Sequence, residues 1–372
     1  MLQIGITGQA GFIGTHLYNF FGLKKEEVAR IPFEDSYFDD NSKLGEFVKQ
    51  CDVIIHLAAL NRHNDPQTIY ETNILLVKKL LKALDSTGSK PHILFSSSTQ
   101  EERGNMFGKS KKEGRELLAK WAKDNNVKFT GMIVPNVFGP FGNPYYNSVV
   151  ATFSHQLTHN EEPKIEVDAQ LKLIYIGELV DLIWKSIKDK DSHEEYKISH
   201  TSEKKVTEIL ELIKVFKTEY SDKGVFPSLN NKFEINLFNT FRCYMDISNH
   251  YPVKLAKNAD DRGTFVETIK TGLGGQVSFS TTKPGITRGN HFHTRKIERF
   301  AVINGKARIQ LRRIGTDKIL NFELDGNEPS YVDMPIWYTH NITNVGNEDL
   351  YTIFWINELF DPNDPDTFFE KV

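Results

Sequence analysis

Two groups of residues in this 372-residue chain have types and spacings that could do chemistry. The first is Thr7-Gly8-Gln9-Ala10-Gly11-Phe12-Ile13-Gly14. Glycine at 8 allows a tight turn, glycine at 11 lets the backbone approach a pyrophosphate, and glycine at 14 lets a helix pack closely on a strand. A helix opening here would present the free N–H groups of its first turn, around Phe12, Ile13 and Gly14, and its positive dipole end to the phosphates. The second group is His291, His293, Glu298 and His340. Histidines at i and i+2 face one side of a strand. Glu298 falls on the following strand, and His340 follows Pro335-Ile336-Trp337-Tyr338-Thr339. Three imidazoles and a carboxylate suit Zn, Fe, Mn, Ni or Co and leave positions open for water or substrate. One chain carrying both groups suggests two reactions on one substrate pathway.

The elements that must position these residues can be read from periodicity. Residues 2–7 form a short buried strand, and a helical pattern opens at Gly11 and runs through Phe20. Residues 52–59 are a buried strand ending in small residues, which places Leu57 and Ala58 beside the glycine turn. Residues 69–84 have helical periodicity, 92–95 form a strand ending in Ser96-Ser97-Ser98, 107–125 are helical, and 128–134 are a strand. Alternating strands and helices predict a Rossmann-like, doubly wound parallel α/β sheet. Helical character fades after Tyr220, and residues 221–231 are rich in Gly, Pro, Ser and Asn. A boundary is expected between 243 and 252, giving domains 1–243 and 252–372. Beyond it, 276–282, 289–294, 298–303, 307–312 and 351–357 read as short strands of an all-β sandwich or barrel.

Composition narrows the function classes. Hydrophobic residues make up 39% and charged residues 26%, with a net charge of −3, so nucleic acid is not an expected partner. Two cysteines, Cys51 and Cys243, fit a reducing cytoplasm rather than a disulfide framework. Neither a signal-peptide pattern nor an apolar run of about 20 residues is present, so no membrane partner is expected.

The first domain resembles the extended short-chain dehydrogenase/reductases that process nucleotide sugars. The likeness rests on residues 7–14, 52–59, Ser96-Ser97-Ser98 and Asn136-Val137-Phe138-Gly139-Pro140. In that family a Ser or Thr after this strand and a Tyr-x-x-x-Lys on the next helix form the catalytic group. The resemblance assigns these positions to Ser98, Phe107 and Lys111. The i, i+4 spacing puts the last two on one helix face. Lysine lowers the tyrosine pKa, and tyrosine exchanges a proton with the substrate oxygen as hydride moves. Here Phe107 stands at the tyrosine position and has no exchangeable proton. Proton transfer would then need Ser98, an ordered water or another residue. Ile133 is a second departure, at a position where the family often has Arg. An acidic residue about 20 positions past the glycines would favour NAD, whereas Arg30 could pair a 2′-phosphate and favour NADP. The same likeness makes Asn136, Tyr146 and Asn147 candidate substrate contacts.

The second domain resembles the cupins. Gly285-x5-His291-x-His293-x4-Glu298-x6-Gly305 fits their first motif, and Pro335, His340 and Asn344 fit much of the second, without the glycine expected before Pro335. Arg288-Gly289-Asn290-His291 and Asp261-Arg262-Gly263-Thr264-Phe265 are similar to segments of sugar-nucleotide 3,5-epimerases. That likeness makes His291 a ligand, a base or both in turn, and Arg288 a substrate contact. The combination of halves, including residues 146–153 and 355–362, resembles the bifunctional enzymes of bacterial capsular polysaccharide synthesis. The resemblance implies C3 epimerisation of a UDP-4-keto-6-deoxy-N-acetylhexosamine in the cupin, with zinc as the expected ion. Reduction at C4 with NADPH would follow, giving UDP-N-acetyl-6-deoxytalosamine on the route to N-acetylfucosamine, in a homodimer. Two alternatives stand beside it. One is an epimerase whose reductase half is impaired at Phe107. The other is a non-catalytic sugar-nucleotide binding protein.

Overall fold

The computed structural model describes every residue except 191, 262, 267, 273 and 360, and gives no side-chain description at 258–260 and 263–265. Arg262 of the epimerase-like segment therefore lies outside the described residues. The chain divides into two compact units, Met1–Val149 with Ala169–Lys205, and Val150–Asp168 with Val206–Val372. Among the described residues no helix is long and apolar enough to cross a membrane.

The first unit is built on a six-stranded parallel sheet. Its strands are β1 (Leu2–Thr7), β2 (Val28–Ile31), β3 (Val53–His56), β4 (His92–Ser98), β5 (Phe129–Val134) and an edge strand at His193–Lys197, in the order β2-β1-β3-β4-β5-edge. Both faces are covered, as a parallel sheet requires. Alternate residues feed opposite cores. Ile55 and Leu94 pack on one side with Leu17 and Phe21 of α1 (Phe12–Gly22), and Ile54, Ile93 and Phe95 pack on the other with Phe47, Val77 and Leu118. The second face is supplied by α2 (Asn41–Gln50), α3 (Pro66–Thr87) and α4 (Met106–Asp124). Asp65 caps α3 by accepting from the amides of Gln67 and Thr68, and Pro66 supplies a pre-set first turn. The strand read at 52–59 ends at His56; Leu57 and Ala58 turn out of the sheet onto the glycine loop, where their amides bond Thr7.

The second unit contains two five-stranded antiparallel sheets, the arrangement of a cupin-like barrel. Its strands are β6 (Val253–Lys254), β7 (Gln276–Thr282), β8 (Thr287–Phe292), β9 (Glu298–Asn304), β10 (Lys306–Arg313), β11 (Ile319–Asp325), β12 (Ser330–Met334), β13 (Tyr338–Asn344), β14 (Leu350–Ile356) and β15 (Phe368–Phe369). One sheet runs β6-β12-β9-β14-β7 and the other β11-β10-β13-β8-β15. Ala301, Ala307, Ile309, Leu311, Phe322, Val332 and Ile342 form the core. Strands β11, β12 and β13 were not among those expected from the sequence, although β11 alternates, with Phe322 and Leu324 buried. A helix at Lys232–Arg242 also follows the loop, although helical character was expected to fade after Tyr220. Asn231 caps it and Phe233, Leu237, Phe238 and Phe241 are buried.

A buried ionic network pins β9 to β12 and to the segment ending at Tyr220. Arg299 donates to Asp333 from Nε at 2.7 Å and Nη2 at 2.9 Å, and the Tyr220 hydroxyl donates to Asp333 at 2.6 Å. Burial works to raise the Asp333 pKa, but the Arg299 guanidinium outweighs it and holds the carboxyl below its usual range. Asp333→Asn leaves Arg299 buried without a counter-charge. The expected loss is about 3–5 kcal/mol of unfolding free energy, read from the denaturant midpoint.

Candidate functional site

The glycine turn is shaped by close approach. Gly8 has φ +71°, and a Cβ there would lie 2.8 Å from the Ala58 amide nitrogen. A Cβ on Gly14 would lie 2.3 Å from the Gly8 carbonyl oxygen, so the helix can approach the loop only at glycine. A Cβ on Gly11 would meet only the Gly8 carbonyl, at 3.2 Å, which leaves the far side open. Gly11 is the N-cap of α1 and supplies no side-chain cap, so the first-turn amides around Phe12 and Ile13 stay available to a phosphate. The cradle, with Leu57 and Ala58 beside it, fits a dinucleotide pyrophosphate. Arg30 is an exposed residue of β2. It donates from Nη1 to the Tyr18 carbonyl at 3.0 Å, and its guanidinium lies 4.2 Å from the Tyr18 ring centroid.

Helix α4 carries the next group. Asn105 caps it by accepting from the Gly108 amide at 2.7 Å, and the helix start lies so close to Gln100 that only glycine fits at 108. Phe107 and Lys111 therefore share a face. The Lys111 ammonium is buried, 5.0 Å from the Phe95 ring centroid and 5.8 Å from that of Phe107. Ser98 ends β4, where its Oγ accepts from the Gln100 amide at 3.2 Å. Phe107 and Asn147 line one cavity of about 300 Å³ with Asn61, Ile69, Gln100 and Asn105. Ser98 and Lys111 are not in that lining. Asn136 donates to the Lys172 carbonyl at 3.3 Å, and Ile133 is a buried β5 residue. Arg62, which no sequence signal marked, donates to the carbonyls of Tyr145 at 2.8 Å and Tyr146 at 3.1 Å and so fixes the loop that bears Asn147.

Burial pushes the Lys111 pKa down from 10.5 to about 8, with Glu101 opposing the shift. A lysine whose folded pKa lies below its unfolded value binds its proton more weakly in the fold. The penalty is complete below pH 8, shrinks between pH 8 and 10.5, and vanishes above. Lys111→Met is therefore expected to stabilise the chain at pH 7 by up to about 3 kcal/mol. The advantage should narrow as denaturation is repeated toward pH 10.

In the second unit the four ligand candidates meet. One donor atom from each of His291, His293, Glu298 and His340 lies within 4.8 Å of all the others. Glu298 Oε2 is 3.3 Å from His293 Nε2 and 3.2 Å from His340 Nε2. The His340 contact is misaligned for a hydrogen bond, which leaves that buried nitrogen without a hydrogen-bond partner. An orphaned imidazole nitrogen aimed at a buried carboxylate, beside two more imidazoles, fits a divalent cation. The strand geometry differs from the expected one. β8 ends at Phe292 after a bulge between Gly289 and His291, so His293 lies just past the strand. The bulge re-aims the two histidines, and they still converge. Burial works to raise the Glu298 pKa, but the His293 and His340 imidazoles outweigh it and hold it well below the usual range. Burial, then the His340 imidazole, push His291 down to about 4. His293 is lowered by burial but raised on balance by Glu298. Arg288 is bonded along β7, to Thr282 Oγ1 and the Thr281 carbonyl, both at 3.1 Å. Asp366, from the far C-terminal segment, accepts from His293 Nδ1 through its carbonyl at 2.6 Å, and nothing in the sequence pattern marked it.

Comparison with known proteins agrees with both halves. Residues 4–199 match the NAD dependent epimerase/dehydratase family, and residues 258–368 match the polysaccharide biosynthesis C-terminal domain. A Pseudomonas aeruginosa protein named UDP-2-acetamido-2,6-beta-L-arabino-hexul-4-ose reductase is 32% identical, over 99% of this chain and 98% of its own. The spore coat polysaccharide biosynthesis protein SpsL of Bacillus subtilis is 26% identical over 30% of this chain and 82% of its own. The crystal structure of the capsular polysaccharide assembling protein CapF from Staphylococcus aureus matches over 100% of both chains, at 34% identity and a TM-score of 0.62.

Proposed function

Because this chain belongs to the NAD dependent epimerase/dehydratase family, we propose that it is a bifunctional nucleotide-sugar enzyme of surface polysaccharide synthesis. Its substrate is a UDP-4-keto-6-deoxy-N-acetylhexosamine. The cupin domain, 252–372, epimerises C3, and the reductase domain, 1–243, reduces C4 with NADPH to UDP-N-acetyl-6-deoxytalosamine. The working assembly is a homodimer. The observation that carries this reading is the presence in one chain of the pyrophosphate cradle and the four-ligand cluster.

The chemistry is coherent. A C4 ketone acidifies the C3–H, so a base can remove that proton if the enolate oxygen is stabilised. A divalent ion held by His291, His293, Glu298 and His340 would supply that stabilisation as a Lewis acid. His291 is the one member of the set that is not fully buried, so it can meet the substrate as base or complete the ligand set. Reduction of the ketone then locks the new stereocentre, because the acidifying carbonyl is gone. On the reductase side, Arg30 is exposed and bonds Tyr18 through Nη1 alone, so it remains the candidate to pair a 2′-phosphate of NADPH.

A second reading is favoured by Phe107. With rings rather than a phenol around Lys111, the chain epimerises C3 and reduces slowly. Incubation with the 4-keto sugar and NADPH in D2O tests both, with mass and NMR analysis of the product. Deuterium at C3 with cofactor consumption supports the bifunctional reading. Deuterium without consumption supports the second, and neither signal removes both.

A further inference from the structure

The C-terminal residues form a strap that pairs with β8, the strand bearing His291. Phe368 and Phe369 of β15 pair with Phe292 and His291 of β8. The Glu370 amide donates to the Asn290 carbonyl at 3.0 Å, and Arg312 donates to the Glu370 carboxylate at 3.1 Å. At the start of the strap, Asp366 is 3% exposed and has φ +40°. Its carboxylate accepts from three successive amides of the loop between β8 and β9, those of Thr294 at 3.1 Å, Arg295 at 3.0 Å and Lys296 at 3.0 Å. It also accepts from the Thr294 hydroxyl at 2.6 Å. Its carbonyl takes the His293 Nδ1 bond. One residue therefore grips a ligand by its main chain and the loop between the ligands by its side chain.

We infer that Asp366 is a positioning residue for the His291, His293, Glu298 and His340 cluster. This rests on the metal reading proposed above. A carbonyl can only accept, so Nδ1 carries a proton toward Asp366 and Nε2 is the nitrogen turned to Glu298, where it donates in the metal-free chain and would give its lone pair to a bound cation. The carboxylate fixes the loop whose two ends carry His293 and Glu298.

Full-length protein tests this, with zinc affinity read by competition against a chromophoric chelator. Asp366→Gly keeps the left-handed backbone, which glycine adopts freely, and removes the carboxylate. Zinc affinity is expected to fall about 10–100-fold, with a smaller loss in Asp366→Asn, whose amide oxygen still accepts. Asp364→Ala removes an exposed ion pair to Arg295 on the same strap and should change affinity less than about twofold. An equal loss in Asp364→Ala would mean that the strap contributes only general stability, and would overturn the inference. Unchanged affinity in folded Asp366→Gly overturns it as well. ¹⁵N-histidine NMR of the zinc-free wild-type chain should show His293 protonated at Nδ1. A tautomer with Nδ1 unprotonated overturns the inference whether or not the variants fold. A wild-type chain that takes up no zinc sinks the metal reading and this inference with it, whereas zinc uptake with no Asp366 effect sinks this inference alone.

Discussion

Phe107→Tyr is expected to raise NADPH oxidation by about 10²–10⁴-fold, the range that a positioned general acid typically contributes. The site is otherwise arranged for it. Asn105 caps α4 and Gly108 seats its first turn, so position 107 presents its ring to the cavity and to Lys111. A phenol there would sit beside a buried ammonium whose charge favours the phenolate, which lowers the tyrosine pKa toward the working range. Deuterium incorporation at C3 should not change, because the groups proposed for that step are in the other unit. Rapid NADPH turnover in the Phe107 chain, unimproved by tyrosine, would sink the idea and leave Ser98 or a water as the proton source. Turnover is measured as absorbance loss at saturating 4-keto sugar.

Glu298→Gln is expected to empty the second site. Glu298 is the one anionic donor of the four, and it is buried. Without it, three neutral imidazoles and an amide must offset a doubly charged ion in a low-dielectric setting. Losing even an outer-shell partner of a metal ligand costs about 10–100-fold in affinity, so losing the carboxylate itself should cost at least about 100-fold. Elemental analysis of protein purified without added metal should show one ion per wild-type chain and a large deficit in the variant. C3 exchange should fall with it, while NADPH binding at the glycine turn is kept. Full metal content in Glu298→Gln, or full exchange in a metal-free chain, would return these residues to acid–base or structural roles and favour His291 acting alone as the base.

The sequence by itself determined the features whose causes are contiguous. At Gly14 the clash is with the carbonyls of Gly8 and Gln9, a few residues away, so spacing alone announces that glycine, whereas Gly8 is also held to glycine by Ala58 from the next strand end. The shared face of Phe107 and Lys111 follows from helical pitch. The strand–helix alternation predicts a parallel sheet because both faces must be covered. The tertiary structure decided what depends on partners far away in the chain. The sequence offers Arg30 as a partner for a phosphate; that it also rests on the Tyr18 carbonyl and ring follows only from the packing of β2 against α1. The sequence marks Lys111 as the lysine of the catalytic pair, but only burial against Phe95 lowers its pKa. Ser330–Met334 was hidden because a barrel strand can be buried on both faces and then shows no alternation, whereas Ile319–Asp325 does alternate, with Phe322 and Leu324 buried, and was legible. Asp366 is 73 residues from the histidine it orients. Local propensity cannot encode such a contact; it forms only when antiparallel pairing brings β15 alongside β8 and the chain between them has closed the barrel.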